Sequence, residues 1–180
     1  MADALRQDGV RGLRLWSPLA PLALAFAAIV FGVDQAHKWW MLDVYGIAAK
    51  SPVAITPWFD LVMVWNRGVS YGLLTTHTQE LLIGLSLAIA ILLWVWACRA
   101  ERALSTAALG MVIGGALGNA LDRAIRGAVA DFFHFHYQSF SWYVFNLADV
   151  AIVAGVALLL YESFFMGDGR AQGRNRRGKA

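Results

Sequence analysis

The hydrophobic residues of this chain gather in long runs that contain no charged side chain. Aspartate, glutamate, lysine and arginine are absent from Leu15 to Val33, from Leu81 to Cys98 and from Ala103 to Leu121, runs of 19, 18 and 19 residues. A fourth run, from Phe140 to Tyr161, is equally apolar apart from Asp149. About 17 to 25 apolar residues in a helix cross the hydrocarbon core of a bilayer. The pattern therefore predicts four transmembrane helices.

The segments outside these runs predict an outer loop, a small β-element and a terminal tail. The loop from Asp34 to Glu80 is too long to be a plain connector. Within it, Val53 to Trp65 is rich in β-branched and aromatic residues, which favours a short β-structure. Gly167 to Ala180 is rich in glycine and arginine and predicts a disordered tail. The expected fold is a mainly α membrane protein with a small outer β-element, in one integral membrane domain covering residues 1–180.

The composition agrees with a membrane protein and excludes other classes. Of the 180 residues, 59% are hydrophobic and 15% are charged, a balance that ordinary soluble domains do not show. The single cysteine, Cys98, excludes an intramolecular disulfide and a cysteine-only metal cluster. It is expected to be a buried or interfacial thiol, because no histidine lies near it in the sequence.

The basic residues predict the orientation in the membrane. Ten of the 15 lysines and arginines fall in the N-terminal segment, the short loop after the second run and the tail, and five fall on the other side. Cytoplasmic segments carry the excess of basic residues, so both termini are expected in the cytoplasm. The net charge of +3 then reflects topology and anionic lipid headgroups, with no need for a nucleic-acid partner. The first run is long for a cleaved signal peptide and three more follow, which favours an uncleaved anchor.

Two acidic residues near the outer ends of the last two runs are the main candidates for catalysis. Asp149 is expected about one and a half turns inside the fourth span, on one face with Asn146. Asp131 precedes that span on the same outer side. If the two carboxyl groups meet, one is expected to hold a proton, because adjacent carboxylates do not readily both ionise. Such a pair can activate water as a base and protonate a leaving amine as an acid, as in aspartic proteases.

Other polar residues stand near the same outer ends. Asp34 and Lys38 are one helical turn apart, which fits a surface ion pair as well as a structural role. Asn66 and Gly68 lie in the outer loop, where the glycine permits a tight turn or a close approach of a ligand. Taken alone, this second pair indicates a structural turn.

The third run carries a small-residue face beside a polar face. Glycines at a spacing of four permit close packing of another helix: Gly110, Gly114 and Gly118. A neighbouring face carries Gly115, Asn119, Asp122 and Arg123. A carboxylate, a carboxamide and a guanidinium at membrane depth indicate a polar site. The alternative is a hydrogen-bond network between Asp122 and Arg123 at the helix end.

The segment His134-Phe135-His136 has two interpretations. Both imidazoles lie on one face of a strand, so a metal site with Asp131 is conceivable. The alternation of aromatic residues with the histidines favours a half-exposed strand instead. Neither a metal ion nor an organic cofactor is expected.

Taken together and in order, these motifs resemble those of the bacterial lipoprotein signal peptidases, the signal peptidase II family. The matching positions are Asp34-Gln35 with Lys38, Asn66-Arg67-Gly68 with Tyr71-Gly72, Gly115 with Asn119 and Asp122-Arg123, Val129 with Asp131-Phe132, and Phe145-Asn146 with Ala148-Asp149. The resemblance covers about Asp34 to Gly155. Tyr71 is a departure, since the family commonly has phenylalanine there.

The resemblance implies an aspartic endopeptidase of the bacterial cytoplasmic (inner) membrane, with its active site near the outer face. It would remove signal peptides from diacylglyceryl-modified prolipoproteins, cleaving before the lipidated cysteine, as a monomer among membrane lipids and without a cofactor. Asp131 and Asp149 would be catalytic, and Asp34 and Lys38 structural. The residues that would bind substrate or shape the site are Asn66, Gly68, Gly115, Asn119, Asp122, Arg123 and Asn146.

Two other classes of function remain open at this point. A small proton-coupled transporter could use Asp149 and Asp122 as a relay, although the second run has no ionisable residue to continue it. A protein that binds signal peptides without cutting them would keep its function when the aspartates are replaced by asparagine.

Overall fold

Four long helices form the body of the protein. The computed structural model describes residues 15–68 and 78–165, so Tyr71 and the tail 167–180 lie outside the described residues. The helices are α1 Ala20–Trp39, α2 Thr78–Ala97, α3 Ala103–Arg126 and α4 Leu147–Phe165. A π-helical turn, Trp40–Val44, continues α1. Each helix is long and apolar enough to cross a membrane, which confirms the predicted fold class.

A small antiparallel sheet packs at one end of the helices. Its strands are β1 Val53–Thr56, β2 Phe59–Asn66, β3 Val129–Tyr137 and β4 Phe140–Ser141, in the order β1-β2-β3-β4. The predicted β-element of the outer loop is therefore present, and it is larger than expected because β3 and β4 join it. The register pairs Asn66 with Val129. The end of β2 thus lies beside the start of β3.

The helices α1 and α3 extend beyond the charge-free runs that predicted them. Helix α1 continues through Asp34 and Lys38, whose side chains are fully buried and paired. Helix α3 continues five residues beyond Leu121 and ends at Arg126. The next residue, Gly127, has a φ of 71° and donates its N–H to the Arg123 carbonyl at 3.1 Å. Glycine readily adopts this left-handed conformation at a helix end. Both helices therefore continue past their charge-free runs into charged residues that have a partner of opposite charge.

The start of the fourth span was predicted wrongly. The apolar run begins at Phe140, whereas α4 begins at Leu147. The residues between pair with β3, and the N–H of Phe145 donates to the Phe133 carbonyl at 3.1 Å. Apolarity alone does not separate a short strand from a helix. Asp149 is consequently the third residue of α4 rather than one and a half turns inside it.

Helix α3 is the central helix, and its glycines bring its neighbours close. Gly110 and Gly114 face α1, and a Cβ on Gly114 would lie 2.5 Å from the carbonyl oxygen of Ala27. Gly115 faces α4, where a Cβ would lie 2.6 Å from the carbonyl oxygen of Ala148. Both contacts are with backbone atoms. The predicted small-residue packing face is confirmed.

Replacing Gly114 by alanine is expected to destabilise the protein by about 1 to 3 kcal/mol. The backbone oxygen that the new methyl group meets cannot move unless α1 moves with it. The matched control is Gly84→Ala in α2, where no atom lies within 4 Å of an added Cβ, and the better helix propensity of alanine predicts no loss. Thermal unfolding in one detergent measures both. Equal unfolding temperatures for the two variants would contradict the close packing of α1 on α3.

Candidate active site

Asp131 is buried on β3 and is held by two asparagine side chains. Its relative exposure is 1%. Oδ1 accepts a hydrogen bond from Nδ2 of Asn146 at 2.6 Å, and Oδ2 accepts one from Nδ2 of Asn66 at 3.0 Å. The N–H of Gly68 donates to Oδ1 of Asn66 at 2.9 Å, and Gly68 has a φ of 90°. That turn directs the amide group of Asn66 towards Asp131.

Asp149 is fixed in the first turn of α4. Asn146 immediately precedes the helix, and its Oδ1 accepts the N–H of Asp149 at 3.0 Å. In return, Oδ2 of Asp149 accepts the N–H of Asn146 at 3.2 Å. This reciprocal pairing is a capping box, which the Asn-x-x-Asp spacing encodes. Oδ1 of Asp149 accepts a further hydrogen bond from Nδ2 of Asn119 at 2.8 Å.

One residue therefore connects the two candidate acids. Asn146 donates its side-chain amide to Asp131 and its backbone N–H to Asp149. Asp149 is partly exposed, whereas Asp131 is buried. The site thus combines a partly exposed carboxyl group with a second that is shielded from solvent.

The surroundings of Asp131 change its tendency to ionise. Burial raises the pKa of Asp131 to about 6, and the negative charge of Asp149 adds to the rise. Hydrogen bonds from Asn66 and Asn146 and the charge of Lys38 act in the opposite direction. Because burial dominates, Asp131 keeps its proton to a higher pH than an ordinary aspartate does.

The raised pKa of Asp131 predicts a pH-dependent stability. Folding favours the protonated form, so this contribution is complete below the unfolded pKa of about 3.9. It is lost as pH rises through the folded pKa of about 6, by about 3 kcal/mol in total. Asp131→Asn cannot titrate and lacks this dependence. The check is the difference in unfolding temperature between the wild type and this variant from about pH 4 to about pH 8, and a constant difference would contradict the assignment.

A buried ion cluster lies next to the two acids. The Lys38 side chain has no exposed surface, and its Nζ lies 2.8 Å from Oδ2 of both Asp34 and Asp122. Arg126 completes the cluster, with Nη1 2.6 Å from Oδ1 of Asp122. The two positive and two negative charges balance. The surface ion pair that the spacing of Asp34 and Lys38 allowed is therefore excluded, because both side chains are fully buried.

The ion cluster also orients a residue of the site. Nζ of Lys38 donates to Oδ1 of Asn119 at 3.2 Å, and Nδ2 of Asn146 donates to the same oxygen at 3.2 Å. With its oxygen occupied, Asn119 presents its Nδ2 to Asp149. Lys38 is thus connected to Asp149 through a single side chain.

The remaining predicted site residues occupy supporting positions. Arg123 is partly buried and donates from Nη1 to the Asn119 carbonyl at 3.3 Å. The predicted alternative of a network between Asp122 and Arg123 is wrong, because Asp122 binds Lys38 and Arg126. Gly115 lets the first turn of α4 approach α3.

Most of the predicted site residues therefore fall into two groups, those that contact the two aspartates and those of the ion cluster. Direct contact with the two aspartates is made by Asn66, Asn119 and Asn146. The residues of the neighbouring ion cluster are Asp34, Lys38 and Asp122.

Sequence reasoning gave no role to Arg126, a member of the ion cluster, or to Gln35, which contacts it. Arg126 pairs with Asp122, and their i,i+4 spacing on one helix is a usable signal for this pair. Gln35 donates from Nε2 to Oδ2 of Asp34 at 3.1 Å and to the Gly118 carbonyl at 3.2 Å. The latter contact spans two helices, so the local sequence gives no sign of it.

The order and arrangement of these residues agree with one known family. The model of the family described as signal peptidase (SPase) II matches residues 26–165. This chain belongs to the signal peptidase II family. A lipoprotein signal peptidase of Methylocella silvestris is 52% identical over 161 residues, which cover 88% of this chain and 94% of that protein. Another, of Beijerinckia indica, is 50% identical over 143 residues, covering 78% and 84%.

A solved structure supports the fold independently. The structure of a bacterial membrane enzyme, determined by the in meso method at 2.3 Å resolution, has a TM-score of 0.70 and 22% identity, and the match covers 83% of this chain and 92% of that one. At this identity the likeness concerns the fold alone. Membership of the signal peptidase II family favours a multi-pass bacterial membrane peptidase over the transporter and the non-catalytic binding protein.

Proposed function

We propose that this signal peptidase II family member is an aspartic endopeptidase that removes signal peptides from diacylglyceryl-modified prolipoproteins, cleaving before the lipidated cysteine. The observation that carries the proposal is the pair formed by Asp131 and Asp149, which Asn146 holds at the end of an apolar helix. The curated relatives named lipoprotein signal peptidase support the substrate class.

In the proposed reaction the two acids have different roles. Asp149, the more exposed carboxylate, removes a proton from water as the water oxygen attacks the scissile carbonyl carbon. Asp131, which burial keeps protonated to about pH 6, donates its proton to the carbonyl oxygen. The tetrahedral intermediate then collapses: the carbon–nitrogen bond breaks, Asp149 returns its proton to the amine, and Asp131 regains one from the hydroxyl group. No proton is gained or lost overall.

The surrounding amides are proposed as positioning residues. Asn119 donates to Asp149, and Asn66 donates to Asp131. These hydrogen bonds fix the orientation of both carboxyl groups. Arg123, whose charge acts on both aspartates, is proposed to bind the substrate backbone or stabilise negative charge that develops during the reaction.

The placement of the site fits a substrate delivered in the membrane. We propose that both termini lie in the cytoplasm, since ten of the 15 basic residues would then lie on that side. Asp131 and Asp149 then lie near the outer face, where the end of a translocated signal peptide emerges. The diacylglyceryl group would hold the scissile bond at this depth and restrict its search to the membrane plane. The proposal treats the single integral membrane domain as a monomer among membrane lipids.

The experiment that tests the substrate class compares two forms of one prolipoprotein. Purified protein is mixed in bilayers with the diacylglyceryl-modified form or with the same chain lacking the lipid, and cleavage is followed by gel shift. We expect cleavage of the lipidated form alone, with the new N-terminus at the modified cysteine. Equal cleavage of both forms, or a cut elsewhere, would contradict the proposal.

A further inference from the structure

We propose that Asp60, His134 and His136 form a binding site for a divalent transition-metal cation of the zinc type on the outer sheet, separate from the two candidate catalytic acids. The ligand atoms of these three residues lie within 4.8 Å of one another. Two imidazoles and one carboxylate are a donor set that suits zinc, copper and nickel, whereas calcium and magnesium prefer oxygen ligands.

The strand register builds this arrangement. Asp60 on β2 is paired directly with His134 on β3, so both side chains lie on one face of the sheet. His136, two residues farther along β3, shares that face, and its ring stacks on that of His134 with centroids 5.3 Å apart. The pairing of β2 with β3 therefore brings the three side chains together without a bound ion.

The contacts of the two histidines favour binding of a cation. Nε2 of His136 lies 3.0 Å from Oδ2 of Asp60, yet this buried nitrogen makes no hydrogen bond. A ligand nitrogen and a carboxylate oxygen thus face each other, and a cation between them would engage both. Nε2 of His134 lies 2.8 Å from Oγ of Ser141, an outer contact of the kind that orients metal-binding imidazoles.

The site is accessible and distinct from the catalytic pair. The side chains of His136 and Asp60 are 30% and 20% exposed, so the cluster borders on solvent. Asp131, which the sequence alone offered as the third ligand, is engaged by Asn66 and Asn146 instead. A bound cation would join β2 to β3, the two strands that carry Asn66 and Asp131, and would stabilise the folded protein by mass action.

Zinc binding by the full-length membrane protein tests the proposal. Protein without a polyhistidine tag is titrated with zinc chloride in detergent by calorimetry, and the unfolding temperature is measured in parallel. We expect one zinc ion per chain and a raised unfolding temperature, with magnesium giving neither. His134→Gln, His136→Gln and Asp60→Asn should each weaken zinc binding by about tenfold or more.

Two controls make the result specific. His77→Gln removes a histidine outside the described residues and should leave zinc binding unchanged, whereas loss of binding in this variant alone would overturn the proposal. Asp149→Asn should bind zinc as the wild type does, which separates this site from the proposed catalytic function. Absence of zinc binding by the wild type, or unchanged binding in all three ligand variants, would also overturn it.

A measurement on the wild type alone covers the case in which the ligand variants do not fold. Copper(II) added at one equivalent should give an electron paramagnetic resonance spectrum with coupling to imidazole nitrogen. A spectrum without nitrogen coupling would refute the site.

Discussion

Replacing either Asp131 or Asp149 by asparagine is expected to abolish cleavage of a lipidated prolipoprotein while the protein remains folded in the membrane. Each variant removes one of the two proton transfers, and we expect the cleavage rate to fall at least about 10³-fold. Because the two acids act as a unit, the double variant should be no slower than either single variant. The measurement is single-turnover cleavage by purified protein in bilayers.

The matched control for these variants is Asp43→Asn. Asp43 lies in the π-helical turn after α1 and is exposed, so the same chemical change there should leave the cleavage rate within about twofold of the wild type. Substantial cleavage by a folded Asp131→Asn or Asp149→Asn variant would refute the assignment of the catalytic pair.

Replacing Lys38 by methionine is expected to cause the largest loss of stability, about 3 to 5 kcal/mol. The lysine side chain is fully buried between Asp34 and Asp122, and its removal leaves a buried negative charge without compensation. The unfolding temperature in detergent measures the effect. Cleavage should also slow, because Asn119 loses the contact that helps to orient its amide towards Asp149.

Two further variants show whether charge burial causes this loss. Lys38→Met combined with Asp34→Asn should regain part of the lost stability, since it removes the uncompensated charge, and such coupling is expected between contacting residues. Lys50→Met is the control: Lys50 is exposed and binds the Tyr45 carbonyl at 2.7 Å, so at most about 1 kcal/mol is expected. Equal effects of Lys38→Met and Lys50→Met would contradict the role of the buried cluster.

The sequence predicted the helices because the bilayer imposes a simple requirement on length and polarity. The ends were less predictable, since Asp34 and Lys38 look like the end of a span until their partner is known. The second partner of Lys38, Asp122, lies on another helix and is distant in the sequence. At the fourth span the predicted helix was too long instead of too short. The apolar residues after Phe140 pair with β3, because an apolar run contributes to a strand as readily as to a helix.

The acids of the candidate site could be predicted individually, whereas their surroundings could not. Asp131 and Asp149 were conspicuous because an acid at a span end needs a partner or a role. The capping box between Asn146 and Asp149 is local and was within reach of sequence reasoning. The pairing of Asp60 with His134 depends on the register of β2 against β3, which follows from the tertiary fold, and no local pattern reveals it.

The most direct test of the central claim is cleavage after removal of metal ions. Wild-type protein treated with a strong chelator is assayed on diacylglyceryl-modified prolipoprotein beside equally treated Asp131→Asn and Asp149→Asn variants. If the two aspartates perform the hydrolysis, the treated wild type keeps its rate within about twofold and both variants are inactive. A loss of cleavage that zinc restores both in the wild type and in His136→Gln, which lacks the proposed sheet site, would contradict the aspartic mechanism and assign the chemistry to a metal ion.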